Sequence, residues 1–335
     1  MRMTSVRSNR KRLLVNHMPG TLRLASKSHL PSFARLAGFE DSIPTTFVLP
    51  EELDQAHHAL SEHGIRDSTG LPLWVLKSKQ HRHVRALMNV SRAGLLANSP
   101  ALLQRRVRPL ILRGLGRAFD VGLYVLVSSV TPLRVYAYER ALVRVCEAPF
   151  PNERTGFRNS ASFVVDHYAP IWTLPFFQRL LQTCDASAAC ALRKALDADG
   201  HDGEGLWRGM HAIAGGLLSA LQPAVEVGLR HLGLNGENAF ELFRFDFLVD
   251  TRGQPVLTEV NISPNMVATH PEDRRVKAAL LRDTLRIASE KMRRMAPMAG
   301  LEGQQDAREV MGGFMRLVPG SSPLSAATSQ RSRDR

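Results

Sequence analysis

A mixed α/β fold (α+β) built on more than one sheet is what the sequence predicts, and three stretches predict it. Phe240 to Pro264 reads FELFRFDFLVDTRGQPVLTEVNISP, where Phe243, Phe245, Phe247 and Val249 alternate with Arg244, Asp246 and Leu248. Alternation with period two marks a strand, Asp250 to Gly253 supply a turn, and Val256 to Val260 run back as the second arm of a hairpin. Phe119 to Val130 and Leu133 to Val145, joined around Pro132, form a longer β-rich pair with Tyr124, Leu126, Val135 and Tyr136 at strand-favouring positions. Ahead of both, short apolar runs alternate with helical patterns, the mark of a small α/β entry region.

Taken in order, Met1 to Arg12 carries five basic residues among polar ones and reads as a disordered basic lead, 1–12. An N-terminal α/β domain, 13–66, opens with a short strand at Leu13 to Val15. A helix at Ala25 to Ala37 and a strand at Thr46 to Leu49 follow, and Pro50, Glu51 and Glu52 open a helix through Leu53, Ala56 and Leu60. A central unit, 67–108, holds a strand at Leu73 to Leu76 that delivers Lys77, the basic segment Ser78 to Arg85, and a strand at Leu102 to Val107. The largest unit, 109–293, contains the long hairpin, a helical stretch at Thr173 to Leu196 and an apolar helix at Trp207 to Leu232 interrupted near Pro223. It ends on the 241–264 hairpin and a basic amphipathic helix at Asp273 to Met292. Residues 294–335, rich in Gly, Ser, Arg and Gln, read as a disordered basic tail.

Composition narrows the function. The chain has 335 residues, 44% hydrophobic and 22% charged, which suits a folded enzyme-sized protein. The sequence shows neither an apolar run of membrane-spanning length nor a secretory signal, so a soluble intracellular protein without a membrane partner is expected. Cys146, Cys184 and Cys190 lack CxxC spacing and clustered histidines and read as ordinary thiols, outside any zinc site or disulfide framework. The formal net charge is +13, and the isoelectric point near 10.4 implies attraction to an acidic partner. No zinc finger or aromatic RNA-binding strand motif is present, so nucleic acid is not the expected one.

The 241–264 hairpin carries the chemistry. If its turn closes with an even number of residues, Asp246, Glu259 and Asn261 converge on one face. Two carboxylates and an amide oxygen are hard donors of the kind Mg²⁺ takes, with water and nucleotide phosphates completing the shell. The same residues also suit a solvated hairpin face. Lys77, at the end of a strand and before a basic loop, is a candidate phosphate contact.

Several blocks resemble the tubulin-tyrosine ligase-like family, whose fold is the ATP-grasp. They are VNHMPG, Lys27, PTTFVLPEE at Pro44 to Glu52, WVLK ending at Lys77, LLQRRV at Leu102 to Val107, FDVGLYVLVSSVTPLRVYAY at Phe119 to Tyr138, FELFRFDFLVD and LTEVNISP. The resemblance implies central (67–108) and C-terminal (109–293) ATP-grasp subdomains. It implies an ATP- and Mg²⁺-dependent ligase that adds an amino acid, glutamate first, to the acidic tail of tubulin through an acyl phosphate. It places such a protein in the cytoplasm on the microtubule cytoskeleton, cilium or flagellum included. Residue by residue it makes Asp246, Glu259 and Asn261 metal ligands, and it sets Lys77 on the nucleotide phosphates. Gln104, Arg105, Arg106 and Val107 fall on a hinge strand facing adenine, Asn159 joins the nucleotide site, and Asp120 and Arg144 become catalytic or substrate-site residues. Ala118 and Gly122 stand where the family usually carries Lys and Arg, and Gly156 and Arg158 replace the His and Thr before Asn159. These losses give a second reading, a catalytically impaired protein that binds tubulin or microtubules; a third, independent of them, is an ATP-grasp ligase acting on another acidic protein.

Overall fold

A computed structural model describes residues 14–78, 84–87, 92–97, 100–165, 168–295 and 311–317. The larger of two sheets is centred on β6 (Phe119–Val130) and β10 (Ala239–Val249), which pair antiparallel over eight residues, from Glu241 opposite Val127 to Leu248 opposite Asp120. Because side chains alternate along each strand, Phe119, Val121, Leu123 and Val125 of β6 point with Phe243, Phe245 and Phe247 of β10 to one face. All seven are at most 1% exposed. That face packs against α5 (Pro175–Gln182), α6 (Ala188–Ala198) and α7 (Gly203–His231) to form the main core. Asp120, Gly122 and Tyr124, with Arg244 and Asp246, take the opposite face. One period-two pattern thus builds the core and presents the polar residues.

Around this pair the sheet runs β1 (Val15–Asn16), β10, β6, β7 (Leu133–Tyr138) and β12 (Phe314–Leu317). Strand β8 (Leu142–Cys146) continues the edge of β6 that β7 leaves, β9 (Tyr168–Pro170) pairs with β8, and β11 (Pro255–Asn261) pairs with β10. The expected long hairpin is therefore present, broken between Tyr138 and Leu142. Helix α8 (Pro271–Met295) lies on the polar face of the sheet and buries Leu280 and Ile287 beside Tyr136 and Tyr138.

The smaller sheet runs β2 (Thr46–Leu49), β5 (Ala101–Arg105), β3 (Trp74–Ser78) and β4 (Val84–Ala86). Trp74, Leu76, Leu103 and Leu49 point outward to α3 (Leu53–His63) and α4 (Arg92–Ala97) and form a core of their own. Val75, Lys77 and Gln104 point the other way, toward the large sheet. Strand β2 and helix α3, expected in the N-terminal domain, are built into this second unit. The first segments, α1 (Leu22–Ala25) and α2 (Leu30–Leu36), send Leu24, Leu30 and Ala34 into the main core instead.

Five expectations change. The helix expected over Ala25 to Ala37 splits into α1 and α2, because Ser26 is extended at ψ 119°; the turn that follows holds Lys27. The interruption expected near Pro223 is absent: α7 passes through it. A proline in a helix interior costs about 3 kcal/mol. Leu217, Leu221, Val225 and Leu229, all at most 2% exposed, flank the site, and each such burial contributes about 1.5–3 kcal/mol, so packing outweighs the lost rung. Helix α7 is long and apolar enough to cross a membrane by length and composition, and here it is the main helix of the core.

The stretch Thr173 to Leu196 breaks at Asp185 and Ala186, whose φ values are 47° and 55°. That tight turn brings Cys184 and Cys190 to a Cα separation of 5.7 Å, and they form a disulfide. The expectation of ordinary thiols holds for Cys146 alone, free and buried; separation in sequence did not reveal a pairing that the turn creates. Finally, within the expected tail, Phe314–Leu317 adds β12 to the edge of β7 and buries Phe314 and Leu317. The expected lead at 1–12 and the rest of the tail, 296–310 and 318–335, lie outside the described residues.

One titratable group on α7 gives a prediction. Half-buried His211 on α7 is pushed down to about 4 by desolvation and then by Arg193. Its neutral form therefore supports the fold above the ordinary value near 6.5, and that support is lost as pH falls from there toward 4. His211→Gln should narrow the loss of melting temperature between pH 7 and pH 4.5 relative to wild type. An unchanged difference would show that the imidazole does not report on folding.

Candidate functional site

The two sheets enclose a cleft of about 290 Å³, close to the lower end of small-molecule sites. Its walls divide by chemistry. Val75, Val84, Val107, Phe150, Phe163 and Leu248 form an apolar portion, while Lys27, Lys77, Arg144, Arg244 and Lys277 bring cations. Asp120, Asp246, Glu259, Asn261 and Thr258 bring oxygen ligands or acceptors. An apolar slot beside concentrated positive charge suits a molecule with a flat apolar head and an anionic tail.

The hairpin reaches this cleft by a route that turn parity did not foresee. Asp250, Thr251, Arg252, Gly253 and Gln254 connect the strands, an odd number, with Gly253 at φ 78°. Val249 therefore faces Pro255 and Phe247 faces Leu257, a register that would set Thr258 opposite Asp246. Instead the ladder shifts by one residue there, Glu259 takes the place opposite Asp246, and Asn261 faces Arg244. A bulge of this kind turns a side chain to the other face. Thr258, the extra residue, donates its hydroxyl to the Asp246 carbonyl at 3.0 Å. The bulge, and not the turn, puts Glu259 and Asn261 on the cleft side.

At the floor, four charges on three neighbouring strands interlock. Arg144 of β8 sits opposite Asp120 of β6 and grips it with Nε at 2.8 Å and Nη2 at 2.5 Å. The same Nη2 lies 3.0 Å from Asp246 Oδ2. Arg244 grips Asp246 from within its own strand, Nε to Oδ1 at 2.6 Å and Nη2 to Oδ2 at 2.8 Å. Asn261 adds an N–H donated to Asp246 Oδ2 at 3.1 Å. Bidentate arginine–carboxylate pairs are among the stronger polar contacts and fix geometry as well as charge. Asp120 and Asp246 are 3% and 2% exposed. Burial pushes Asp120 up to about 6, against Arg144, which pulls it down. Burial presses Asp246 the same way, but Arg144 and Arg244 together hold it below the usual carboxylate range. Two guanidiniums on one carboxylate explain why Asp246 is the stronger acid of the two.

Of the expected metal ligands, all three line the cleft, and their availability differs. Both oxygens of Asp246 already accept from arginine. Glu259 is half-buried and has Lys27 at 3.9 Å. Asn261 spends its N–H on Asp246, which leaves its amide oxygen for another partner. Glu259 and Asn261 thus offer hard oxygen donors of the type that suits Mg²⁺, with Asp246 locked beside them.

The expected nucleotide residues also gather, with two qualifications. Lys77 and Gln104 face the cleft from β3 and β5, and Gln104 donates to Thr46 Oγ1 at 2.8 Å. Arg105 and Val107 line it as well. Arg106 does so too, yet its guanidinium is committed to Asp67 at 3.0 Å and to the Pro72 carbonyl at 2.5 Å, over the ring of Phe157. That side chain ties the cleft wall together. Asn159 is not brought in: it is exposed, and its Oδ1 accepts the N–H of Ala161 to cap a short 3-10 turn at Ser160–Ser162. Ala118 lines the cleft, whereas neighbouring Arg117 turns its guanidinium to the carbonyls of Cys146 and Glu147. Cys146 also lines it, its thiol pushed up to about 12 by burial and by Asp120, which removes it as a nucleophile near neutral pH.

Two cleft cations were not singled out from sequence. Arg244 could have been found, since alternation places it on the face of Asp246. Lys277, 4% exposed and bonded to Asp273 at 2.8 Å and the Val267 carbonyl at 2.6 Å, looks in sequence like a surface helix pair.

Comparison with known proteins identifies the family. Residues 4–295 match the model described as the tubulin-tyrosine ligase family. The chain is 30% identical over 261 residues to "Probable tubulin polyglutamylase ttll-15" of Caenorhabditis elegans, covering 77% of this chain and 47% of that one. It is 24% identical over 299 residues to "Tubulin monoglutamylase TTLL4" of Homo sapiens, covering 86% of this chain and 24% of that protein. To "Tubulin polyglutamylase TTLL5" of Homo sapiens it is 26% identical over 283 residues, 80% of this chain and 21% of that protein. The chain thus spans less than half the length of these relatives.

Proposed function

The chain belongs to the tubulin-tyrosine ligase family, and from that premise we propose that it is an ATP- and Mg²⁺-dependent ligase joining glutamate to the acidic tail of tubulin. The observation that carries the reading is a single cleft in which Lys77 on one sheet faces Glu259 and Asn261 on the other, with Arg144 and Arg244 on the floor between them. The relatives' names, polyglutamylase and monoglutamylase of tubulin, supply the amino acid and the acceptor. A net charge of +13 suits an acceptor rich in carboxylates, attracted over long range. In the same reading the protein works in the cytoplasm on microtubules.

In this reading the end of β5 and the residues after it, Gln104 to Val107, receive the nucleotide base against Val75, Phe163 and Leu248, and Lys77 neutralises phosphate oxygens. Glu259 and Asn261, beside Asp246, would hold Mg²⁺, whose contribution when bound is to neutralise charge on the transferring phosphoryl group. A carboxylate takes the γ-phosphoryl group of ATP, releasing ADP, and an amine then opens the acyl phosphate to an amide, releasing phosphate. Arg144 and Arg244 keep the floor cationic where carboxylate and phosphoryl oxygens meet, and no nucleophilic side chain is needed. Such chemistry rests on positioning and electrostatics.

The test is incubation of the protein with tubulin, ATP and Mg²⁺ and with labelled glutamate, glycine or tyrosine in parallel. Label from glutamate on tubulin, dependent on ATP, is the expected result. Label from another amino acid would replace glutamate in the proposal, and none from any of them would overturn it.

A further inference from the structure

Gly122 is the fourth residue of twelve-residue β6, and a glycine inside a strand weakens it and often marks a bulge, a bend or the close approach of another group. It is not among the glycines at positive φ, so the backbone does not require it. Space does. A Cβ at position 122 would meet Arg244 Cδ at 2.9 Å, Asp246 Oδ1 at 3.2 Å and Arg244 Cγ at 3.3 Å. The stem of Arg244 lies across the glycine, and its guanidinium reaches Asp246, the residue directly opposite Gly122 in the ladder.

We propose that Gly122 and Arg244 are one matched unit: Arg244 is a positioning residue that delivers, from β10, the guanidinium to Asp246 that a side chain at 122 would otherwise deliver from β6. Resting on the ligase reading, this locates at Arg244 a cation whose loss was inferred from the glycine alone. Directly opposed residues on antiparallel strands have Cβ atoms about 4.5–5.5 Å apart, so an arginine at 122 reaches the Asp246 carboxylate without crossing another side chain once Arg244 is removed. Only one of the two positions can hold the arginine at a time. Arg244 is 8% exposed, and a guanidinium is buried at this depth only with its charge matched. Asp246 supplies the match, and two of its five N–H donors go there. Held this way, Asp246 cannot swing away from Asn261, and the amide oxygen of Asn261 keeps its direction.

The experiment compares wild type with Gly122→Arg, Arg244→Gly and the double exchange, reading melting temperature, affinity for Mg²⁺-ATP and the kcat of ligation. Each single variant should lose at least about 100-fold in kcat, the first by crowding two guanidiniums into one space and the second by freeing Asp246. The double exchange should recover kcat to within about 10-fold of wild type, together with nucleotide affinity, since the guanidinium returns to the same carboxylate. Recovery of melting temperature without recovery of kcat and affinity would make the pair a packing device and overturn the proposal. A double variant no better than the singles in every readout would overturn it as well. If wild type ligates nothing, the ligase reading fails on its own, and recovery of nucleotide affinity by the double exchange still decides whether the two positions are matched.

Discussion

Asp246→Ala is expected to destabilise the protein by about 3–5 kcal/mol, the usual loss when one partner of a buried ion pair is removed and the other stays behind. The loss is large here because one carboxylate serves two buried guanidiniums: Arg244 loses its bidentate acceptor, and Arg144 keeps Asp120 but loses the contact at 3.0 Å. Asn261 loses its acceptor too. Against a typical total of about 5–15 kcal/mol, this is roughly a fifth of the whole or more. Asp246→Asn, which keeps the shape and can still accept one hydrogen bond, should lose less than Asp246→Ala. Chemical denaturation of the three proteins at pH 7 reads the order directly. An alanine variant as stable as wild type would mean that the guanidiniums are solvated and that the interlocked floor contributes nothing.

Glu259→Gln is expected to leave stability nearly unchanged and to lower ligation by about 10²-fold or more, the scale on which a charge-stabilising group at a phosphoryl-transfer site acts. Glu259 is half-buried, with Lys27 at 3.9 Å, and a solvent-accessible pair that loose contributes at most about 1 kcal/mol to the fold. Its carboxylate is therefore available to a cation, unlike that of Asp246. Glutamine preserves shape and removes the charge, so any loss reports on charge. The two substitutions should separate cleanly, Asp246 acting first on stability and Glu259 on activity.

Much of this was legible in the sequence because one rule, the alternation of strand faces, wrote it. Phe243, Phe245 and Phe247 against Arg244 and Asp246 fixed both the core face and the cleft face of β10, and the same rule put Lys77 opposite Trp74 and Leu76 in β3. Asp120, Arg144 and Gln104, which the family resemblance and not the alternation singled out, line the cleft with Glu259 and Asn261. What escaped depends either on contacts between distant segments or on local turns that follow no period. The bulge at Thr258 carries no local signal, so parity gave a sound condition on the wrong feature. The pairing of Cys184 with Cys190 needs the left-handed turn at Asp185 and Ala186. The passage of α7 through Pro223 needs the apolar face it buries, and β12 at Phe314 is recognisable only once the edge of β7 is there to receive it. Asn159 lies in a short turn that its own side chain caps, and no periodicity governs such a segment. Gly122 shows the limit most clearly: read alone it is a missing cation, and beside Arg244 it is the space that a relocated one requires.

Whether the hairpin supplies the metal site of a nucleotide cleft is read most directly by calorimetric titration of ATP into wild type and Glu259→Gln, each with and without Mg²⁺. Wild type should bind ATP at least about 10-fold more tightly with Mg²⁺ than without, and Glu259→Gln should show little or no gain from the metal while melting as wild type does. Equal enhancement by Mg²⁺ in both proteins, or no ATP binding by wild type under either condition, would contradict that role for the hairpin.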